Sequence, residues 1–300
     1  MKTHQTSILI AALAALALLA SPLSAIAATE TIYTFSENFD GLTVDSTLHN
    51  QNGWTVADSA SARAIIRSGS FKQTNGGGFT NPTPGGQVLD FLGGGYAYRG
   101  ISLPADSETL SVTLKIRNSD KASNGGNANF NAGVLLRSGA NAWTGSTISV
   151  MIANNSGTGW ANKLQYSTYN TETQTTTTTT VTVDRTDENS FVPGPDTWYS
   201  IALDVNLAAH TYSFTITDEN ANSIVWTSPA ALGIDPAFKP NWLVLSSSSN
   251  ASTDNGGVFD DLALTALKTV ADPAIPEPAT TSLLVGALVL AGMILSRRIR

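Results

Sequence analysis

Aromatic side chains are the residues of this chain best suited to bind a ligand. The 300-residue sequence contains 6 tryptophans and 7 tyrosines, and several lie near asparagines in segments rich in Gly, Asn and Ser. Flat rings stack against the C–H faces of sugars, and amides bind sugar hydroxyls. The predicted glycan-binding residues are Trp143, Trp160, Tyr166 and Tyr169. The alternative for each ring is a place in the core or at the edge of a sheet.

Residues for acid–base catalysis do not form a recognisable set. A retaining glycosidase needs two carboxylates about 5–5.5 Å apart, and the chain has no Glu-x-Asp-x-x-Glu motif to supply them. Its acidic pairs, Asp187-Glu188 and Asp218-Glu219, are adjacent residues that would point to opposite faces of a strand and read as turn residues. Histidine is also scarce, at 3. We therefore predict that the protein is not an enzyme.

Charge and cysteine content exclude several other classes. Lys and Arg number 16 against 23 Asp and Glu, which gives a net charge of −7 and no basic patch for a nucleic acid. Cysteine is absent, so disulfides, Cys-ligated metals and thiol nucleophiles are excluded.

The elements that must position these residues are β-strands. Leu110, Val112, Leu114 and Ile116 alternate with polar residues, which is the pattern of a strand buried on one face. The same period of two recurs in a dozen or more short segments, separated by Gly, Asn and Pro, and no long amphipathic helix interrupts them. The sequence predicts an all-β fold, an antiparallel two-sheet β-sandwich over residues 28–268.

The N-terminal end has the features of a signal peptide, predicted over residues 1–27. Lys2 precedes an apolar run from Ile8 to Ala20, and Ala25-Ile26-Ala27 suits cleavage by signal peptidase after Ala27. The alternative is an uncleaved membrane anchor.

The C-terminal end contains three features in order: a linker over residues 269–281 with Pro276, Glu277 and Pro278, an apolar transmembrane helix predicted over 282–296, and a basic cytoplasmic end over 297–300 with Arg297, Arg298 and Arg300. This arrangement resembles a PEP-CTERM sorting tail. The resemblance implies processing by an exosortase and a place on the cell surface or in the extracellular matrix of a Gram-negative bacterium, with membrane contact only through the tail. The alternative is a plain tail anchor.

The central region resembles a concanavalin A-like, laminin-G-like jelly roll. The resemblance is carried by Glu-Asn-Phe-Asp-Gly at 37–41, Gly53-Trp54, Asp-Thr-Trp-Tyr at 196–199 and Gly-Val-Phe-Asp-Asp-Leu at 257–262. It implies that the first and last strands lie side by side.

A calcium site is the predicted role of the acidic residues in these motifs. With Val258 and Leu262 facing the core, a period of two places Asp260 on the same buried face, where a carboxylate needs a partner. The resemblance implies that Glu37 or Asp40 would join Asp260 or Asp261 around a structural Ca²⁺. The alternative is that these carboxylates cap turns or bond backbone amides.

Together these features predict an exported, exosortase-processed protein that binds exopolysaccharide without catalysis. A structural or adhesive extracellular protein without a defined ligand is the alternative. A polysaccharide-active hydrolase or lyase is the second.

Overall fold

The computed structural model describes residues 28–57, 64–72, 78–80, 86–92, 94–117, 129–155, 162–183, 197–229, 231–249 and 257–270. The predicted signal peptide, the Pro-Glu-Pro motif, the apolar segment and the basic end lie outside these ranges. No helix within them is long and apolar enough to cross a membrane. The chain divides into two compact units. One is Thr31–Lys268, and the other comprises the chain ends, of which Ala28–Glu30 and Thr269–Val270 are described.

A nine-stranded sheet contains the first and last strands. Its central path runs β15, β14, β13, β8, β18, β6, β3, with β1 beside β18 and β16 beside β14. The bounds are β1 Ala28–Glu37, β3 Ala64–Ser68, β6 Gln87–Phe91, β8 Thr109–Arg117, β13 Trp198–Asn206, β14 Thr211–Asp218, β15 Ser223–Thr227, β16 Leu232–Gly233 and β18 Val258–Val270. The pairing of β1 with β18 confirms the predicted adjacency of the first and last strands.

A seven-stranded sheet forms the second layer, in the order β12, β11, β10, β9, β17, β7, β2. Its strands are β2 Thr55–Val56, β7 Gly95–Gly100, β9 Asn129–Ser138, β10 Ser146–Asn155, β11 Asn162–Asn170, β12 Thr175–Val183 and β17 Trp242–Ser249. A separate hairpin pairs β4 Ser70–Lys72 with β5 Gly78–Thr80. Every pairing with a defined register is antiparallel.

The main core lies between the two sheets. On β8 the predicted alternation is confirmed, because Leu110, Val112, Leu114 and Ile116 are all buried in that core. Val134 and Leu136 of β9 enter it from the other sheet. The fold is therefore the predicted all-β antiparallel sandwich. The last strand, β18, extends to Val270, past the predicted domain end at residue 268.

Candidate functional site

The outer face of the seven-stranded sheet, which points away from the main core, has an apolar cluster of its own. Leu135 on β9 and Val244 on β17 are buried there with Ala142 from the loop between β9 and β10. Side chains of a strand alternate between its faces, and the flanking residues of Leu135 and Val244 lie in the main core. Both strands are thus covered on both faces, which accounts for the unbroken apolar runs at 134–136 and 242–245.

Four aromatic rings cover this cluster, and we call them the aromatic platform: Tyr96, Tyr98, Trp143 and Trp242. The ring centroid of Trp143 lies 4.9 Å from that of Tyr96 and 5.4 Å from that of Tyr98, both close to perpendicular. Tyr98 in turn lies 5.7 Å from Trp242. Edge-to-face pairs of this kind favour one relative orientation of the rings. Trp143 is nevertheless 43% exposed, so the platform presents a fixed aromatic surface to solvent.

Hydrogen bonds fix the loop at 139–145 that carries Trp143. The Asn141 Oδ1 accepts from the backbone N–H of Trp143 at 2.9 Å, an Asx turn that orients the tryptophan backbone. The Trp242 Nε1 donates to the carbonyl of Gly139 at 3.2 Å, which joins this loop to the neighbouring strand. Trp143 is therefore positioned before any ligand arrives.

Glycine is required at both ends of this loop. A Cβ at Gly145 would lie 1.6 Å from the carbonyl oxygen of Ser138, and Gly145 has a φ of +94°. A Cβ at Gly139 would lie 2.0 Å from the carbonyl oxygen of Thr144. No L side chain fits these approaches, so the two glycines allow the tight loop that places Trp143 over the sheet.

A cation, Arg137 of β9, lies beside the platform. In the sheet register it is opposite Trp242 on one side and Thr147 on the other. Its Nη1 donates to the carbonyl of Ala142 at 2.6 Å, and its guanidinium carbon is 6.0 Å from the ring centroid of Trp143. Burial lowers the pKa of Arg137, but an arginine stays charged near neutral pH. The platform therefore combines ring surfaces with one positive charge.

The predicted glycan-binding residues have different positions in the structure. Trp143 belongs to the platform, and Trp160 lies outside the described residues. Tyr166 is only 5% exposed and packs in the main core, with its ring centroid 5.5 Å from that of Phe214. The prediction of Tyr166 as a stacking residue is corrected, because a buried ring cannot contact a sugar. Tyr169 is half-buried on β11, two strands away from the strand of Arg137.

Three platform residues were not among the predicted binding residues: Tyr96, Tyr98 and Trp242. Arg137, which lies beside the platform, was not predicted either. The Tyr-x-Tyr spacing in β7 places both tyrosines on one face of that strand. No local pattern shows, however, that β7 lies beside β17 and opposite the Trp143 loop.

The Glu37 carboxylate, predicted as a calcium ligand, is occupied by N–H donors. Its Oε1 accepts from the backbone N–H of Phe39 at 3.0 Å. Its Oε2 accepts from the Asn52 Nδ2 at 2.7 Å and the Trp54 Nε1 at 3.2 Å. These bonds hold the turn after β1 against the start of β2, as the alternative reading of this residue predicted.

The other three predicted calcium ligands lie near β18. The Asp40 Oδ1 accepts from the backbone N–H of Gln87 at 2.7 Å. The Asp261 Oδ2 pairs with the Lys115 Nζ at 2.9 Å. Asp260 is 3% exposed, and its Oδ1 accepts from the backbone N–H of Asp261 at 2.8 Å. Within the described ranges, no three acidic or histidine side chains converge as a metal site.

Asp260 has a strongly shifted acidity. Its pKa is raised to about 7, and burial is the main cause. The negative charges of Asp261 and Asp40 contribute to the rise, whereas the hydrogen bond from the Asp261 backbone N–H and the charge of Lys115 oppose it. Asp260 lies where β18 loses its regular register with β8.

The acidic pair Asp218-Glu219 is a turn, as predicted. The Asp218 Oδ1 accepts from the backbone N–H groups of Asn220 and Ala221 at 2.8 and 3.0 Å. Glu219 lies near Lys115, with 3.7 Å between the charged groups. The other predicted turn pair, Asp187-Glu188, lies outside the described residues.

A pocket of about 530 Å³ opens elsewhere, between loops of the nine-stranded and seven-stranded sheets. Its lining is mostly aliphatic and prolyl, and includes Pro104, Pro236 and Phe238. Phe238 is buried and presents little ring surface. The pocket lacks exposed aromatic faces, so the platform is the better candidate for sugar binding.

Comparison with known proteins gives distant structural similarities only. No protein-family model matches the chain, and no curated protein matches it. Peanut lectin with a 9-mer peptide has a TM-score of 0.45 at 11% identity, covering 80% of this chain and 100% of the lectin. Lectin II from Ulex europaeus has a TM-score of 0.42 at 10% identity, and basic winged bean lectin with Tn-antigen has 0.41 at 8%, each with the same coverage. Similarity this distant does not indicate a ligand for this chain.

Proposed function

We propose that this chain is a non-catalytic carbohydrate-binding protein and that the aromatic platform is its glycan site. The observation that carries the proposal is Trp143, a large ring that is 43% exposed although ring contacts and loop hydrogen bonds hold it in one place. Exposing a tryptophan to water is unfavourable unless a partner covers it. A ring held in advance loses little conformational entropy on binding. Sugar C–H faces are suitable partners for such a ring.

The proposal includes the cellular setting that the chain ends predict. Export by way of the signal peptide, processing by an exosortase and retention at the cell surface or in the matrix are supported by the sequence alone. For an exposed aromatic platform on a protein in that setting, exopolysaccharide is the glycan most readily available.

The direct test is binding of the purified protein to a panel of polysaccharides, including matrix extracted from the producing cells. We expect saturable binding, measured by affinity electrophoresis and by a change in tryptophan fluorescence. Two of the six tryptophans lie in the platform, so a ligand that covers it should change part of the fluorescence signal.

The two alternatives predict different outcomes of the same experiment. A folded sample that binds no polysaccharide contradicts our proposal and favours a structural or adhesive role. Release of reducing ends or unsaturated products indicates a hydrolase or lyase. The turn geometry of Asp218-Glu219 does not support the enzymatic alternative.

Calcium is a separate proposal that concerns stability and has no part in sugar binding. Asp40 and Asp260 carry the hard oxygen atoms that calcium prefers and are close enough for the charge of Asp40 to raise the pKa of Asp260, although both also accept N–H hydrogen bonds. Glu37 and Asp261 are engaged with N–H donors and with Lys115. We expect millimolar Ca²⁺ to raise the melting temperature by about 5 °C relative to EGTA, since an ion that binds only the folded state stabilises it. Asp260→Asn should abolish this rise. An equal melting temperature in Ca²⁺ and EGTA contradicts the proposal.

A further inference from the structure

Charged residues are divided unequally between the strands of the two sheets. The strands of the seven-stranded sheet contain no Asp or Glu, and their charged residues are Arg99, Arg137 and Lys163. The strands of the nine-stranded sheet contain Glu30, Glu37, Asp90, Asp204, Asp218, Asp260 and Asp261. In a chain of net charge −7, the sheet that carries the aromatic platform is thus the one without acidic strand residues.

The charge of Arg137 is not neutralised within the described part of the chain. None of the ion pairs there includes Arg137. A guanidinium has five N–H donors, and the Nη1 bond to Ala142 is its one hydrogen bond to the described residues. Its Nε is buried and has no acceptor. A half-buried cation without an anionic partner is unfavourable, so an anion supplied by a ligand would be favoured here.

Arg137 also has the right place for such a ligand. Its guanidinium carbon lies over the Trp143 ring, 6.0 Å from the ring centroid, so the cation and the exposed ring are direct neighbours. A sugar stacked on Trp143 would therefore bring its substituents within reach of the guanidinium. Hydrogen bonds from Arg to a carboxylate or sulfate are about twice as strong as bonds between neutral groups.

We infer that the aromatic platform selects acidic glycans, with Arg137 binding the anionic group of a sugar that stacks on Trp143. This inference rests on the proposed function, because it assigns the substrate class of the same site. The anionic group is a carboxylate, as in a uronic acid, or a sulfate ester. Stacking on the ring supplies a contact that does not depend on charge, and Arg137 supplies the preference for acidic over neutral glycans.

The test compares polymers that share a backbone and differ in charge. The purified full-length protein is titrated with polygalacturonate and with its carboxyl-reduced form, and in parallel with dextran sulfate and with dextran, all at low salt. We expect the matching acidic polymer to bind about tenfold more tightly than its neutral counterpart. The preference should weaken as added salt screens the charges. The pair that shows the preference identifies carboxylate or sulfate as the recognised group.

Two arginine variants separate a specific contact from general electrostatics. Arg137→Met keeps the apolar stem and should reduce binding of the acidic polymer about tenfold more than it reduces binding of the neutral polymer. Arg99→Met removes the same charge from the same sheet, but Arg99 stacks on Phe35, 4.3 Å from that ring. This variant should therefore change neither the affinity for the acidic polymer nor the affinity for the neutral polymer. Arg137→Lys, which keeps the charge without the planar fork, should retain part of the preference. Melting temperatures verify that each variant is folded.

The outcomes separate the inference from the proposed function. Equal affinity for charged and neutral polymers overturns the inference and leaves a neutral-glycan site in place. Equal losses for Arg99→Met and Arg137→Met also overturn it, because the effect would then be that of net charge. An equal loss of affinity for acidic and neutral polymers in Arg137→Met would show that Arg137 has a structural role in the Trp143 loop, and it would overturn the inference too. Failure of the folded protein to bind any polymer, with matrix polysaccharide included, contradicts the proposed function itself.

Discussion

Replacing Trp143 by alanine is expected to weaken glycan binding about 30-fold, the effect of roughly 2 kcal/mol for a central aromatic contact. The loss should appear for acidic and neutral polymers alike, because the ring contributes stacking and no charge. Stability should change little, since Trp143 is 43% exposed and lies outside the main core. Isothermal titration calorimetry and a melting curve on the same sample test both expectations.

Ile224→Ala is the matched control for this variant. Ile224 is the other large exposed hydrophobic side chain of the described residues, at 65%, and it lies on β15 of the opposite sheet. Its truncation should leave glycan affinity unchanged. Trp143→Phe should retain part of the affinity because it preserves a smaller ring. Undiminished binding by a folded Trp143→Ala protein would remove the platform from the proposed function.

The second large effect expected is a dependence of stability on the ionisation of Asp260. The folded-state pKa of Asp260 is about 7, whereas an unfolded aspartate titrates near pH 3.9. Between these values the folded state holds a proton that the unfolded state has released. The contribution of Asp260 to the free energy of unfolding is therefore fully present below about pH 4, decreases as the pH rises, and levels off above about pH 7. Each pKa unit corresponds to about 1.4 kcal/mol, so the total change is a few kcal/mol.

Urea unfolding at several pH values between 4.5 and 8, in EGTA, tests this expectation. Asp260→Asn keeps the shape of the side chain and cannot ionise, so its free energy of unfolding should vary less with pH than that of the wild type. At pH 8 the variant should be the more stable of the two. Asp204→Asn, at an exposed position of β13, should keep the wild-type slope. Parallel curves for Asp260→Asn and the wild type would show that Asp260 is ionised in the folded protein throughout.

The distribution of charge and aromatic residues gives the two sheets different roles. The nine-stranded sheet contains the first and last strands of the sandwich and the buried carboxyl group of Asp260, which affects stability. The seven-stranded sheet carries the aromatic platform and only basic residues among its charged positions. Mutations on one sheet should therefore change melting behaviour and those on the outer face of the other should change ligand binding.

The fold was predictable because the strands satisfy a local requirement. A strand with one buried face must alternate apolar and polar residues, and β8 does so over its whole length. On β13, Tyr199, Ile201, Leu203 and Val205 face the main core at the same period of two. The same argument placed Asp260 on a buried face, and its 3% exposure agrees. Alternation fails to locate the ligand surface, because β9 and β17 are apolar on both faces and have no period to read.

The sequence alone predicted the all-β sandwich and excluded cysteine chemistry, and its resemblance to jelly rolls implied the adjacency of the first and last strands. It also named Trp143 as a candidate binding residue. Only the tertiary structure decided that Tyr166 is a core residue, that Glu37 is held by N–H donors, and that Tyr98, Trp143 and Trp242 meet beside Arg137. The physical reason is that periodicity fixes which face of a strand a side chain occupies. Which distant strands become neighbours, and in what register, depends on packing of the whole chain.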